Sequence, residues 1–218
     1  GKAGIAALAL EAGLNLGEVL LVSGQHQQAT DVLERVVQIT KAMRNPVRQR
    51  AATTLLAQSL GAQKNFEAAL THASSALELT KKLKFERLIP VDLYNVGLFK
   101  LMLGQEQEAV AMFKEARKTS NPTEAGFQKE LLFNMGQALI RIGEKGEAEE
   151  VLRAAVGPCA AAKDWRKVVA ATKALATFEE ERGSNDAAKS LLEKALEAAT
   201  AGNLKDERKG IRRRIEAL

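Results

Sequence analysis

The sequence predicts an all-α protein made of stacked helical hairpins, and three observations carry that prediction. Composition is the first: Ala, Leu, Glu and Lys dominate, aromatics make up only 4% and there are four prolines, a balance that favours helix over strand. The second is internal repetition. An alanine recurs at Ala29, Ala69, Ala109, Ala148 and Ala188, at intervals of 40, 40, 39 and 40 residues, and a fixed period of this size marks an array of supersecondary units. Third, each of these alanines anchors the same local pattern of apolar and small residues on one helical face.

That pattern defines two helices per unit. Five residues before the anchor stands a glycine, Gly24, Gly104, Gly143 and Gly183, with Lys64 as the exception; this is the turn of the hairpin. Four residues after the anchor come Leu33, Ala73, Phe113, Leu152 and Leu192, and seven after it Val36, Ala76, Ala116, Ala155 and Ala195. Offsets of four and seven share a helical face, so these residues mark the buried stripe of each second helix. Upstream, an apolar residue precedes a small one in every unit: Leu16-Gly17, Leu56-Ala57, Val96-Gly97, Met135-Gly136 and Leu175-Ala176. A residue without bulk here lets the first helix approach the second, which explains a mid-helix glycine that costs about 1 kcal/mol in propensity.

These signals place paired helices near 3–22 and 25–43, 46–62 and 65–84, 87–103 and 105–119, 122–142 and 144–162, and 164–182 and 184–201. A last helix from about 204 to 218 follows, with Leu204, Ile211, Ile215 and Leu218 on its apolar side. It is either a cap or the first half of a sixth repeat. Asn45-Pro46 and Asn121-Pro122 each put a capping residue before a proline suited to a first turn, so both should open a first helix. Pro90 belongs to an opening turn as well. Gly157-Pro158 should kink or shorten the fourth unit's second helix, the unit with the 39-residue spacing.

Small residue, turn glycine, alanine anchor and second alanine together resemble the tetratricopeptide repeat signature, over essentially all 218 residues. The 40-residue period departs from the commonest form of that family and implies longer helices; similar long repeats occur in cell-polarity adaptors, kinesin light chains and bacterial regulatory proteins. The resemblance implies a right-handed α-solenoid of about five helix-turn-helix repeats, 3–43, 46–84, 87–119, 122–162 and 164–201, plus the helix 204–218, in one domain over 1–218.

Composition also bounds function. With 46% hydrophobic residues the chain can fill a sizeable interior. Its net charge of +5 is concentrated at one end: from Lys205 to Leu218 six basic residues face three acidic ones, a net of +3. Nucleic acid is therefore an unfavoured partner, and binding of nucleic acid or an anionic surface through this helix, with its Arg212-Arg213-Arg214 run, is the alternative reading. The single cysteine, Cys159, makes no disulfide framework, fits a cytoplasmic location and reads as a small packed residue. No transmembrane segment is expected, since the longest uncharged apolar run is Ile5 to Leu10. The chain lacks an initiator methionine and reads as an excised piece of a longer polypeptide.

Catalysis finds no support. His26 and His72 are the only histidines, and no acidic or cysteine partner stands at metal-ligand spacing; no phosphate loop or nucleophile elbow appears. No metal or other cofactor is expected. The informative residues are on the first helices, where spacings of 0, 3, 4, 7, 10 and 11 share one face, the face that lines the inner side in the family resembled. Unit one presents Glu11, Leu14, Asn15, Glu18, Leu21 and Val22; unit three Val91, Tyr94, Asn95, Leu98, Leu101 and Met102; unit four Glu130, Phe133, Asn134, Gln137, Ile140 and Arg141. Unit two is smaller there, with Ala51, Thr54, Leu55, Gln58, Gly61 and Ala62, and reads, like unit five, chiefly as scaffold.

Asparagine returns at one register as Asn15, Asn95 and Asn134, although it is a poor choice inside a helix. In related arrays asparagines at this register hydrogen-bond the backbone of an extended peptide; drift around a consensus is the other reading. Tyr94, Leu98, Met102 and Phe133 would form an apolar centre beside them, or else pack between repeats. The expected function is that of an adaptor that binds a peptide or a folded protein, with a small GTPase or a motility or polarity component as candidate partner by analogy. Self-association through the terminal helices is a further expectation.

Overall fold

The computed structural model describes residues 2–218, with side chains at all of them except 2, 3, 5, 6 and 125. Helix-forming residues run in blocks of similar length, and the breaks between blocks set the architecture. The helices are α1 (Lys2–Val22), α2 (His26–Ala42), α3 (Pro46–Ala62), α4 (Phe66–Lys82), α5 (Ile89–Met102, after a 3₁₀ turn at Glu86–Leu88), α6 (Glu106–Thr119), α7 (Ala125–Arg141), α8 (Lys145–Ala161), α9 (Trp165–Glu181), α10 (Asn185–Ala201) and α11 (Lys205–Glu216). Among the described residues there is no strand. The chain divides into two compact units, one ending at Ser120 and one beginning at Asn121.

Nearly every break is the same turn. Gly24, Arg44, Lys64, Lys84 and Gly104, and then Gly143, Lys163, Gly183 and Asn203, all have positive φ, between 52° and 82°. At Gly24 the amide donates to Leu21 O (3.1 Å) and the next amide, of Gln25, to Leu20 O (2.8 Å). This Schellman pair satisfies carbonyls that the helix end leaves open. The same pair closes α3, where Lys64 bonds Gly61 O and Asn65 bonds Leu60 O, and α8, where Lys163 bonds Ala160 O and Asp164 bonds Cys159 O. Thus the turns between hairpins copy the turns within them, and glycine marks four of the five within hairpins and none of those between.

The beat fails once. Between α6 and α7, Ser120 is extended (ψ 157°), and Asn121 Oδ1 accepts from Thr123 N (3.1 Å) and Thr123 Oγ1 (2.9 Å). That side-chain turn holds the chain away from helix, so Asn121-Pro122 does not open α7, which begins at Ala125. Asn45 behaves as expected and caps α3, accepting from Arg48 N at 3.2 Å. The spacing of 39 is also relocated. The segment α8 keeps 17 residues with Pro158 inside it, whereas α6 has 14, and the missing residue falls in α6 and its exit. Pro158 is tolerated because it costs one bond, to Ala154, whose residue is exposed to water.

Packing within each hairpin follows the predicted stripe. The five anchor alanines are all fully buried, and Leu33, Phe113, Leu152 and Leu192 beside them are equally inaccessible. Each meets the small residue of the first helix: a Cβ placed on Gly17 would lie 2.6 Å from Leu33 Cδ2, and one on Gly136 would lie 2.5 Å from Leu152 Cδ2. Where the first helix carries Ala57, the residue on the second helix at that offset is Ala73, only 2% exposed. In the first unit the core runs from Leu10 and Leu14 through Leu33 and Leu56 to Val96 and Phe99; in the second it gathers Cys159, Val168, Leu192, Ala199 and Ile211.

Polar side chains tie neighbouring hairpins. Thr30 and Ser59 hydroxyls meet at 2.8 Å, Ser59 Oγ donates to His26 O (2.7 Å), and Gln63 Nε2 donates to Thr30 Oγ1 (2.7 Å). Asp92, 1% exposed, receives Arg50 Nη2 at 2.7 Å and the Thr80 hydroxyl, so one carboxylate joins α3, α4 and α5. A buried carboxylate left without partners of this kind would be costly.

Candidate partner-binding face

Within each unit the first helices are linked by ion pairs: Glu11 with Arg48 and Asp92 with Arg50 in the first, and Glu130 with Lys167 (3.1 Å), Glu180 with Arg214 (2.8 Å) and Glu207 with Lys173 (2.8 Å) in the second. Between these links the helices present the residues singled out by the sequence. On α1, Asn15 and Glu18 are exposed and line a shallow hollow of about 460 Å³ with Val19, Val22 and Ser23. Leu14, expected on that face, belongs to the core at 9% exposure: it turns toward α2 and α3, where apolar contact outweighs solvent.

On α5 the expected residues divide. Tyr94 is half-buried and its ring lies against Phe113, centroids 5.8 Å apart and tilted by 36°, so it serves packing. Asn95 is 7% exposed, Leu98 half-buried and Met102 48% exposed. These last three line a hollow of about 390 Å³ between α3 and α5, together with Gln58, Gly61, Ala62, Lys64, Phe66 and Phe99. The smallness of unit two, which reads from sequence as scaffold, is what makes the hollow. Gly61 and Ala62 leave room opposite α5, and the Phe99 ring rests on the bare backbone of Gly61. Gln58, Lys64, Phe66 and Phe99 were absent from the expected site; the signal for them was the pair of small residues on the α3 face.

In the second unit Phe133 is half-buried, with Lys167 Nζ 5.9 Å from its ring centroid, a cation–π placement. Lys167 also reaches Asp164 at 2.7 Å, and that hydrogen bond holds the Asp164 carboxyl below its usual range. Asn134 Nδ2 donates to Glu130 O, one turn back, at 3.0 Å, the local alternative open to an asparagine in a helix. Gln137 is half-buried and Arg141 exposed at the end of α7. The three asparagines of one register thus occupy three environments: exposed, buried beside a hollow, and bonded to their own helix. Phe133, grouped from sequence with Tyr94, Leu98 and Met102, belongs to the second compact unit and the other three to the first.

At the C-terminus the arginine run is divided. Arg214 turns inward to Glu180 (2.8 Å) and Thr177 (2.7 Å), while Arg212 and Arg213 are exposed. Among the described residues no three or more His, Cys, Asp or Glu side chains gather to hold a metal ion, and no helix is long and apolar enough to cross a membrane.

Hairpins of this register and length define a class, the tetratricopeptide-type helical repeat. The tetratricopeptide repeat family model matches residues 129–157, which cover most of α7 and most of α8. No curated protein sequence matches the chain. Solved structures do. A Rap protein complexed with Competence and Sporulation Factor is 21% identical over 95% of this chain and 64% of its own, with a TM-score of 0.63. The PilF protein of Pseudomonas aeruginosa is 15% identical, over 94% of this chain and 90% of its own, with a TM-score of 0.69. The nearly identical TPR-like repeats assigned to a kinesin light chain of Podospora anserina are 22% identical, over 88% and 95%, with a TM-score of 0.66. The chain therefore spans under two thirds of the Rap protein's length, and at these identities the likeness is one of fold. This chain has the tetratricopeptide repeat fold, and its fourth hairpin is the part that the family model matches.

Proposed function

We propose that the chain is a non-catalytic protein-binding scaffold that receives a peptide or the surface of a folded protein on the first helices of its hairpins. The observation that carries this reading is the pairing of open hollows with the first-helix face in the first unit: one at Asn15 and Glu18, one between Gln58 on α3 and Asn95 and Met102 on α5. Apolar floors with a polar rim are the usual make-up of a protein-binding centre. Leu14 and Tyr94 support the face from beneath. In the second unit Phe133, Asn134, Gln137 and Arg141 offer a further surface of the same kind, and hairpins along all of residues 1–218 serve the one scaffold. A small GTPase or a motility or polarity component in the cytoplasm is the folded partner that the resemblance brings forward. The basic C-terminal helix is a weaker basis for binding, since Arg214 is engaged by Glu180.

The test is capture from native lysate by the immobilised chain, with wild type compared against Gln58→Ala with Asn95→Ala. The double variant is expected to lose the specific partner, a drop of about 30-fold in affinity for hot-spot positions, while its circular dichroism and melting stay those of the wild type. An unchanged set of captured proteins would remove the first-helix face from consideration.

A further inference from the structure

The hollow between α3 and α5 contains a polar group without a partner. Asn95 is 7% exposed, its side chain makes no hydrogen bond to any described residue, and it lines the hollow. An amide offers two donors and two acceptor lone pairs, and one that faces an open hollow would be costly to cover with a group that cannot pair with it. Asparagine is also a poor helix former, and it stands here in the middle of α5. Around it the walls are apolar: Phe66, Phe99, Leu98 and the flexible thioether of Met102. Gln58 and Lys64 stand exposed at the rim.

We infer that this hollow is a receptor for one tyrosine side chain of a bound partner, whose phenol hydroxyl pairs with the Asn95 amide. The choice of ligand follows from the walls and the single amide. A purely apolar side chain would cover Asn95 and leave it unpaired; a carboxylate or ammonium would lose its hydration among two phenylalanines, a leucine and a methionine. A phenol has an apolar body for the walls and a hydroxyl that donates to Asn95 Oδ1 or accepts from Nδ2. The volume of about 390 Å³ holds an aromatic ring with room for the backbone that carries it, and the rim amide of Gln58 can serve that backbone. Met102, 48% exposed, is an adaptable lid for an aromatic face. This inference rests on the partner-face reading above and specifies what one part of that face recognises.

The probes are p-cresol, the tyrosine side chain as a small molecule, and toluene, which lacks only the hydroxyl. Each is titrated into the full chain labelled with nitrogen-15 throughout and carbon-13 at the methionine methyls, and the Met102 methyl and Asn95 amide signals are followed. The expected result is that p-cresol moves both signals, leaves the Met43 methyl in place, and binds roughly three- to tenfold more tightly than toluene, the factor a net hydrogen bond supplies. Asn95→Leu should abolish that preference. Ala62→Phe, a change at an exposed position on the hollow's edge, should fill the hollow and remove binding of both probes without touching the amide. Equal affinities for the two probes in wild type, a p-cresol preference that survives Asn95→Leu, or a Met102 signal that neither probe moves would overturn the receptor. No partner is needed for this measurement, so its failure sinks the tyrosine pocket alone, whereas an unchanged lysate capture sinks the face.

Discussion

Single atoms decide the spacing of the hairpins. Gly136 faces Leu152 so closely that a methyl group would fall 2.5 Å from Leu152 Cδ2, so Gly136→Ala overpacks the fourth hairpin by about 1–3 kcal/mol, and after the roughly 1 kcal/mol that alanine regains in helix propensity the net loss should be up to about 2 kcal/mol. Leu152→Ala costs about 2–5 kcal/mol by itself, but the two losses together should come to less than their sum because the truncation gives the methyl room, which urea midpoints of the two single variants and the pair will show. Asp92 is the opposite case, a buried charge rather than a missing atom. Its removal strands Arg50, whose side chain is 12% exposed, and Asp92→Ala should cost about 3–5 kcal/mol. At Cys159, burial first and the nearby Asp164 second push the thiol from 9.0 up to about 11. The thiol should therefore resist alkylation by iodoacetamide at pH 8 while the protein is folded and react readily once guanidinium exposes it. Rapid reaction of the native chain would contradict the packing assigned to it.

Helix ends and helix-to-helix links belong to the element scale. Lys163 holds a positive φ of 56° at a turn that Gly143 and Gly183 fill with glycine. A side chain there costs about 1–2 kcal/mol, while a new glycine loses about 0.4–1 kcal/mol through the unfolded state; Lys163→Gly should give a net gain of about 0.5–1 kcal/mol, visible as a higher melting temperature. Glu149 on α8 accepts hydrogen bonds from Arg182 and then Arg153, and these hold its carboxyl down from 4.5 to about 2. A depressed carboxylate contributes stability that is present above its unfolded value and is lost as pH falls through the folded one. Urea midpoints should accordingly fall between pH 4.5 and pH 2 more steeply in the wild type than in Glu149→Gln. Equal slopes would show that the pair of arginines does not hold the carboxylate in solution.

For the molecule as a whole, the run of identical turns matters more than any one hairpin. Stability in a repeat array is a sum of local hairpins and their neighbour contacts, and the turn that breaks the beat, at Ser120–Glu124, is also where the two compact units part. Residues 1–120 and 121–218 expressed separately should each give a helical circular dichroism spectrum and a cooperative melt. A fragment that stays unfolded would mean that its hairpins depend on the rest of the chain.

Much of this was legible in the residues. The anchor alanines, the small residue that faces them and the place of each hairpin turn follow from periodicity alone, because a helix pair buries one stripe whatever stands beyond it. The fates of Asn15, Asn95 and Asn134 were not legible: equal register places them on the same face, but exposure depends on what the adjacent helix carries. Small Gly61 and Ala62 opened a hollow beside Asn95, Leu14 met the core, and Arg214 found Glu180. Nor could the spacing of 39 be assigned correctly, since Pro158 was the visible irregularity and the shortened α6 left no mark in composition. By itself the sequence determined the class of fold and the stripe of each helix, both set by contacts within a few turns of chain; the tertiary structure decided which polar residues remain available to a partner, because availability is a property of two helices brought together.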